Sequence, residues 1–260
     1  MFLSWLKQRR RQKVLAQPFP DEWLTILRRN VPYYALLTEA EQAKLRDDMR
    51  VFIAEKHWEG CGGLELTDEI KVTVAAHACL LVLGIEHDYY PMLQSILIYP
   101  SEYRAPRERV IPGGAVIEET DERLGEAWYR GPVVLSWDTI AHDGRNMGDG
   151  HNIVFHEFAH QLDMLDRSID GTPPLGTRAQ YQRWQEVMSV EFERLVAASD
   201  RGEATLLDHY GATDPAEFFA VATECYFERP VDMLERHPRL YEVMREFYRQ
   251  DTAARVRARH

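Results

Sequence analysis

Residues 151–164 read HNIVFHEFAHQLDM, two histidines and a glutamate set inside an apolar, helix-compatible run. No other stretch constrains the fold as tightly. An apolar helix of this kind is buried, and burying His156, Glu157 and His160 with it is costly unless a metal or a polar partner satisfies them. Four residues advance a helix by slightly more than one turn, so both imidazoles leave the same face and can share one metal. Glu157 sits about 100° around the helix, beside that metal, where its carboxylate can take a proton from a metal-bound water. The spacing is HExxH. Two neutral nitrogen ligands suit zinc, and a catalytic zinc needs a third ligand and an open position. The plain alternative is a pair of histidines on a wet helical face.

The third ligand is the next question. An extended zincin pattern places a histidine six residues after His160, but that position is Asp166 and no Met-turn follows. A metzincin is therefore excluded, and a carboxylate from a later helix is the other solution. Asp214-Pro215 is a strong helix start, with aspartate as N-cap and proline at the first helical position. Glu217 falls in the first turn, as a ligand or as the far half of a capping box with Asp214. Glu224 lies seven residues on, almost on the same face, and is a rival. The spacing leans to Glu217, at a helix end near Tyr210, and leaves both open. His209, in the loop, has no fixed geometry and reads as exposed. His151 is turned away from the metal. Asp163 and Asp166 are candidates to orient an imidazole, or ordinary solvated or capping residues.

The rest of the chain frames that helix. Thr38-Glu39-Ala40-Glu41 is a capping box opening a helix that runs to His57, and Thr67 can cap a second, buried helix through Leu83. His77 within it reads as a satisfied core histidine. Ser95–Tyr99, Ala115–Ile117 and Val133–Trp137 are short β-prone runs bounded by proline and glycine. Helices around a small mixed sheet, without a βαβ rhythm, predict an α+β protein. The expected plan is a basic tail over 1–17 and a single domain over 18–260. Within the domain, 18–90 is helical, 95–140 holds the sheet and 150–250 the active-site helices.

Forty-two acidic residues against 31 basic ones give a net charge of −11, which argues against general nucleic-acid binding. Cys61, Cys79 and Cys225 are too few and too scattered for a disulfide framework or a cysteine zinc site. No apolar run is long enough to span a bilayer. The start, MFLSWLKQRRRQK, has its apolar patch before its basic cluster, the reverse of a secretory signal. A cytoplasmic protein is expected. The basic start predicts a frayed, solvated tail, or a segment that touches an anionic membrane or an acidic partner. The basic end, RVRARH, predicts a disordered terminus, or one folded onto an acidic active-site rim.

HEFAHQLDM at 156–164, followed by YGATDPAEFFAVATE at 210–224, resembles the Mlc titration factor A family of zinc metallopeptidases. The N-terminal layout and the GPVVLSWD strand are similar too, so the resemblance covers most of the chain. The downstream half also resembles the catalytic domain of anthrax lethal factor, where a tyrosine stands seven residues before a glutamate ligand. The resemblance implies a zincin-like fold and one zinc per chain held by His156, His160 and Glu217, a gluzincin-type set. It implies Glu157 as general base and Tyr210 as transition-state stabiliser, and all five residues are intact. It implies aminopeptidase-type hydrolysis of short peptides, and a protein partner, the transcriptional repressor Mlc of glucose regulation. The competing reading is a binding protein that titrates a regulator, its peptidase site secondary; a zinc hydrolase of non-peptide amides is a third. In a zincin the strand beside the active-site helix offers its free edge to an extended peptide, which points to Val133–Trp137, unless that is an ordinary core strand. Gly144, Gly148 and Gly150 suggest a lid over 142–151, or plain turns.

Overall fold

The computed structural model describes residues 2–101, 106–110, 116–120, 126–127, 131–144, 146 and 148–259. Helices α1 (Phe2–Leu15), α2 (Asp21–Asn30) and α3 (Glu39–Glu55) come first, with a 3-10 turn at Pro32–Leu36. The capping box forms as the sequence predicts. The Thr38 side chain accepts the Glu41 amide at 3.3 Å, and the Glu41 carboxylate accepts the Thr38 amide at 2.9 Å. Helix α3 stops at Glu55, short of the expected His57, because His57–Gly60 is strand β1. Helix α4 (Asp68–Val82) starts at Thr67, whose hydroxyl accepts the Ile70 amide at 3.4 Å, and is buried on all sides from Val72 onward. His77 is a core residue as expected: its Nδ1–H donates to the Thr73 carbonyl at 2.9 Å, and burial lowers its pKa to about 4.

The middle of the chain supplies β2 (Ser95–Tyr99), β3 (Pro106–Val110), β4 (Val116–Thr120), β5 (Glu126–Ala127) and β6 (Val133–Ser136). Strands β1, β2 and β6 run parallel, and β5 closes the sheet antiparallel in the order β1-β2-β6-β5. Strands β3 and β4 pair separately, antiparallel. The small mixed sheet is therefore present; Ala115 of the predicted second run lies outside the described residues. Strand β6 does not offer a free edge along its whole length. Val133 and Val134 pair with β5 on one side while the whole strand pairs with β2 on the other, and Trp137 already belongs to helix α5 (Trp137–Asp143).

Helices α6 (Ile153–Asp163), α7 (Arg178–Asp200), α8 (Pro215–Glu228), α9 (Pro230–Arg236), α10 (Pro238–Tyr248) and α11 (Thr252–Arg257) complete the fold, with 3-10 turns at Met164–Asp166 and His209–Ala212. Every residue of α6 is buried. It packs against α8, α4 and the sheet, and its apolar side is held by aromatic contacts. Ring centroids of Phe155 and Phe227 are 5.0 Å apart, and those of Tyr90 and Phe158 are 4.8 Å apart. Such pairs fix a helix in rotation as well as position.

Among the described residues, α1 and α11 both make ion pairs to the body. In α1, Lys7 bonds Asp88 at 2.6 Å, and Arg11 reaches Glu55 at 2.6 and 2.8 Å and Asp88 at 2.6 Å. In α11, Arg255 bonds the Tyr33 hydroxyl at 3.2 Å and pairs with Glu41. The basic C-terminal stretch thus docks on the N-terminal helices and not over the active-site rim. Charge runs read as solvated because their partners, Glu55, Asp88 and Glu41, are remote in sequence.

Candidate metal centre and active site

The N-terminus of α6 is positioned by acids. Asn152 is its N-cap, its side chain accepting the Phe155 amide at 3.1 Å. Asp143 accepts the Ile153 amide at 2.8 Å and Glu224 the Asn152 amide at 2.6 Å. Glu228 accepts the Asn152 side-chain amide at 3.2 Å and the Gly148 amide at 2.9 Å. Carboxylates at a helix N-terminus complement its exposed N–H groups and dipole. Burial nevertheless raises Asp143 to about 6 and Glu228 to about 7. The loop, read from the sequence as a lid or as plain turns, is tied to α8 through the Gly148 amide and Glu228, and Gly148 and Gly150 lie at φ of 104° and 98°.

A second set of contacts places Glu217. Asp214 caps α8, one carboxylate oxygen accepting the amides of Ala216 at 2.9 Å and Glu217 at 3.0 Å. With the cap supplied by Asp214, the Glu217 side chain turns towards α6. The exit from α6 passes close to the start of α8: a Cβ at Gly171 would lie 2.2 Å from the Pro215 carbonyl oxygen, and φ there is 76°. Only glycine fits both demands. The Asp163 carboxylate accepts the Gly171 amide at 2.9 Å, and the Trp184 indole donates to the Gly171 carbonyl at 3.0 Å. Tyr210 is held on its 3-10 turn by Asp208, which accepts the Tyr210 amide at 2.7 Å.

These elements bring His156, His160 and Glu217 together, with one ligand atom from each within 4.8 Å of the others. Glu217 Oε2 lies 3.0 Å from His156 Nε2 and 3.4 Å from His160 Nε2. The Tyr210 hydroxyl donates to Glu217 Oε1 at 3.3 Å. Glu157 is 2% exposed, and among the described residues its Oε2 has no hydrogen-bond partner. Two imidazole nitrogens and a carboxylate oxygen converging on one point are the donor set of a catalytic metal site with a position left open. With an unpartnered buried Glu157 oxygen next in sequence to His156, the residues present fit one divalent transition metal.

Charge in the site is strongly coupled. Burial disfavours a protonated His156, but hydrogen bonds from both ring nitrogens, to Glu217 and Glu224, outweigh it and raise its pKa well above the usual range. Burial also pushes Glu217 up, yet its bonds from His156 and His160 hold the carboxyl well below the ordinary range. Glu157 is raised, chiefly by burial, against the opposing pull of both histidines. Metal ligation needs a neutral imidazole, so affinity is expected to rise with pH.

Glu224, weighed from the sequence as a rival ligand, is on the other side of His156. Its Oε1 accepts from Nδ1 at 2.8 Å, which fixes the ring and turns Nε2 towards Glu217. Glu224→Gln is accordingly expected to weaken metal binding about 10- to 100-fold with little loss of fold, measured by competition against a chromogenic chelator. The other candidates stand apart. His209 Nε2–H donates to the Glu203 carbonyl at 2.9 Å. His151 is exposed, 3.8 Å from Asp208. Asp166 accepts from the amide and hydroxyl of Ser168 at 2.9 and 2.7 Å, and the Asp163 bond to Gly171 makes it a loop anchor. Asn152, Asp143 and Glu228 were not singled out from sequence; the acids of an otherwise apolar α8, seven and eleven residues after Glu217, were the available signal.

The α+β fold and the convergent His-His-Glu set define a zincin-like architecture of the metallopeptidase class. Residues 5–249 match the family model described as glucose-regulated metallo-peptidase M90, and the chain belongs to that family. It is 42% identical over 246 residues to the uncharacterized protein slr2042 of Synechocystis, spanning 94% of this chain and 89% of that one. It is 34% identical over 229 residues to Mlc titration factor A of Klebsiella pneumoniae, covering 87% and 86% of the two chains. Against Mlc titration factor A of Yersinia enterocolitica the identity is 30% over 258 residues, 97% and 92% of the two.

Proposed function

We propose that the chain is a zinc-dependent peptidase in which His156, His160 and Glu217 hold one zinc, Glu157 is the general base and Tyr210 stabilises the oxyanion. The observation that supports it best is the convergence of three ligand atoms within 4.8 Å beside a buried, half-unsatisfied carboxylate. Zinc, when bound, supplies Lewis-acid polarisation of the scissile carbonyl and acidity to the attacking water. Glu157 accepts the water's proton, holds it on a carboxylate that burial has made more basic, and passes it to the leaving amine. Tyr210 gives its hydroxyl proton as a hydrogen bond to the oxygen that gains negative charge. Short peptides are the proposed substrates, cleaved in aminopeptidase fashion, a reading supported by the family resemblance.

Relatives that bear the name Mlc titration factor A favour a second role, binding of a transcriptional repressor of the Mlc kind in the cytoplasm. The test of the enzyme reading is metal content by elemental mass spectrometry. Native protein is expected to hold one zinc per chain, more tightly at higher pH, and Glu217→Ala to lose most of it. Native protein that stays metal-free with added zinc would leave the repressor-binding role alone standing.

A further inference from the structure

Helix α1 has two unlike faces. Lys7, Arg11 and Val14, spaced four and three residues apart, are partly buried against the body. Trp5, Leu6, Arg9, Arg10 and Lys13 are all exposed, and on a 3.6-residue period they occupy an arc of about 140°. Trp5 is 50% and Leu6 46% exposed, neighbours in sequence at one end of this face. The Arg9 guanidinium lies 4.9 Å from the Trp5 ring centroid, and Arg10 also reaches the Ala54 carbonyl at 3.4 Å. The helix contains five cations and no acid, in a chain whose net charge is −11. Its inner cations are already neutralised by Asp88 and Glu55, so the outer three carry the excess.

We propose that this outer face seats the protein on an anionic lipid bilayer, with α1 lying in the plane of the headgroups. The charge of the face complements that surface. Bilayer interfaces take tryptophan at headgroup depth, and anionic headgroups attract Lys and Arg alongside it. A convex helix face mixing an aromatic, a leucine and three cations matches a fluid surface, which needs no shaped pocket. Because Lys7 and Arg11 clamp α1 to the body, the whole domain would be carried to the membrane.

The experiment is co-sedimentation of the full chain with vesicles of phosphatidylglycerol and phosphatidylcholine, beside pure phosphatidylcholine. Binding to the anionic vesicles is expected at low salt and should fall as salt screens the charges. Arg9→Glu/Arg10→Glu/Lys13→Glu should lower the partition coefficient by about 100-fold. Trp5→Ala/Leu6→Ala should lower it by about tenfold. Both variants should keep the peptidase rate and a near-native melting temperature, since the altered side chains are exposed and the Arg10 bond to the Ala54 carbonyl, lost in the first, lies at the surface. Absence of binding to anionic vesicles at low salt, equal binding to neutral ones, or undiminished binding by the charge-reversed variant would overturn the proposal. Capture of an acidic polypeptide such as polyglutamate without vesicle binding would do so too, making the face a protein-docking one.

Discussion

Glu157→Gln is expected to lower peptide turnover by about 100- to 10,000-fold, the usual contribution of a positioned general base, while metal content stays native. The amide has the size and shape of the carboxylate but cannot accept a proton. Neither the proposed metal ligands nor their supports change, because Glu157 takes no part in the His156, His160 and Glu217 cluster. Stability should hold or rise. Burial raises the pKa of the native group, a sign that the ionised form is disfavoured there, and the substitution removes that charge. Steady-state kinetics, metal analysis and a thermal melt on one preparation check all three statements. Turnover near the native rate would remove Glu157 from the mechanism, and loss of metal would make it a structural residue. The same variant separates the two proposed roles: repressor binding should survive it, and a folded variant that lost both would show them inseparable.

Tyr210→Phe should cost about 100- to 1,000-fold in kcat, the range for loss of one oxyanion donor, with KM and metal content little altered. The ring itself is retained, its centroid 5.9 Å from that of His156. The hydroxyl rests 3.3 Å from Glu217 Oε1, and the residue is 46% exposed on a short turn. That placement gives the group room to swing from the carboxylate to a substrate oxygen. A mainly structural tyrosine would show the opposite pattern, a lower melting temperature with kcat unchanged. Near-normal activity in the variant would leave oxyanion stabilisation to the other groups of the site.

Much of the centre is legible in the sequence because its signals are local. The HExxH spacing, the apolar setting of α6 and the Asp214-Pro215 start of α8 each need no more than one helical turn of context. The choice between Glu217 and Glu224 is not local. It depends on which carboxylate meets Nε2 and which meets Nδ1 of one imidazole, a matter of how α6 and α8 pack. Strand β1 was hidden for a related reason: the alternation of His57-Trp58-Glu59-Gly60 is too short to read, and it is extended because Ser95–Ile98 lies alongside it. Strand β6 read equally well as edge or interior until β5 was seen against it. The two basic ends looked like tails because ion pairs spanning 44 to 214 residues leave no trace in composition.

One face of α8 carries Glu217, Glu224 and Glu228, each meeting a different point of α6 or of the loop that leads into it. They span eleven residues, about three turns, and stand within roughly 40° of one another around the axis. The helix therefore works as a ruler whose marks must all coincide at once. Inserting or deleting a single residue between Glu217 and Glu224 would rotate one mark by about 100° relative to the others. Proposed metal ligand, ring clamp and loop anchor would no longer line up together. Length within α8 is thus restricted by three contacts at once, and an added or deleted residue would have to be taken up in the loops outside it.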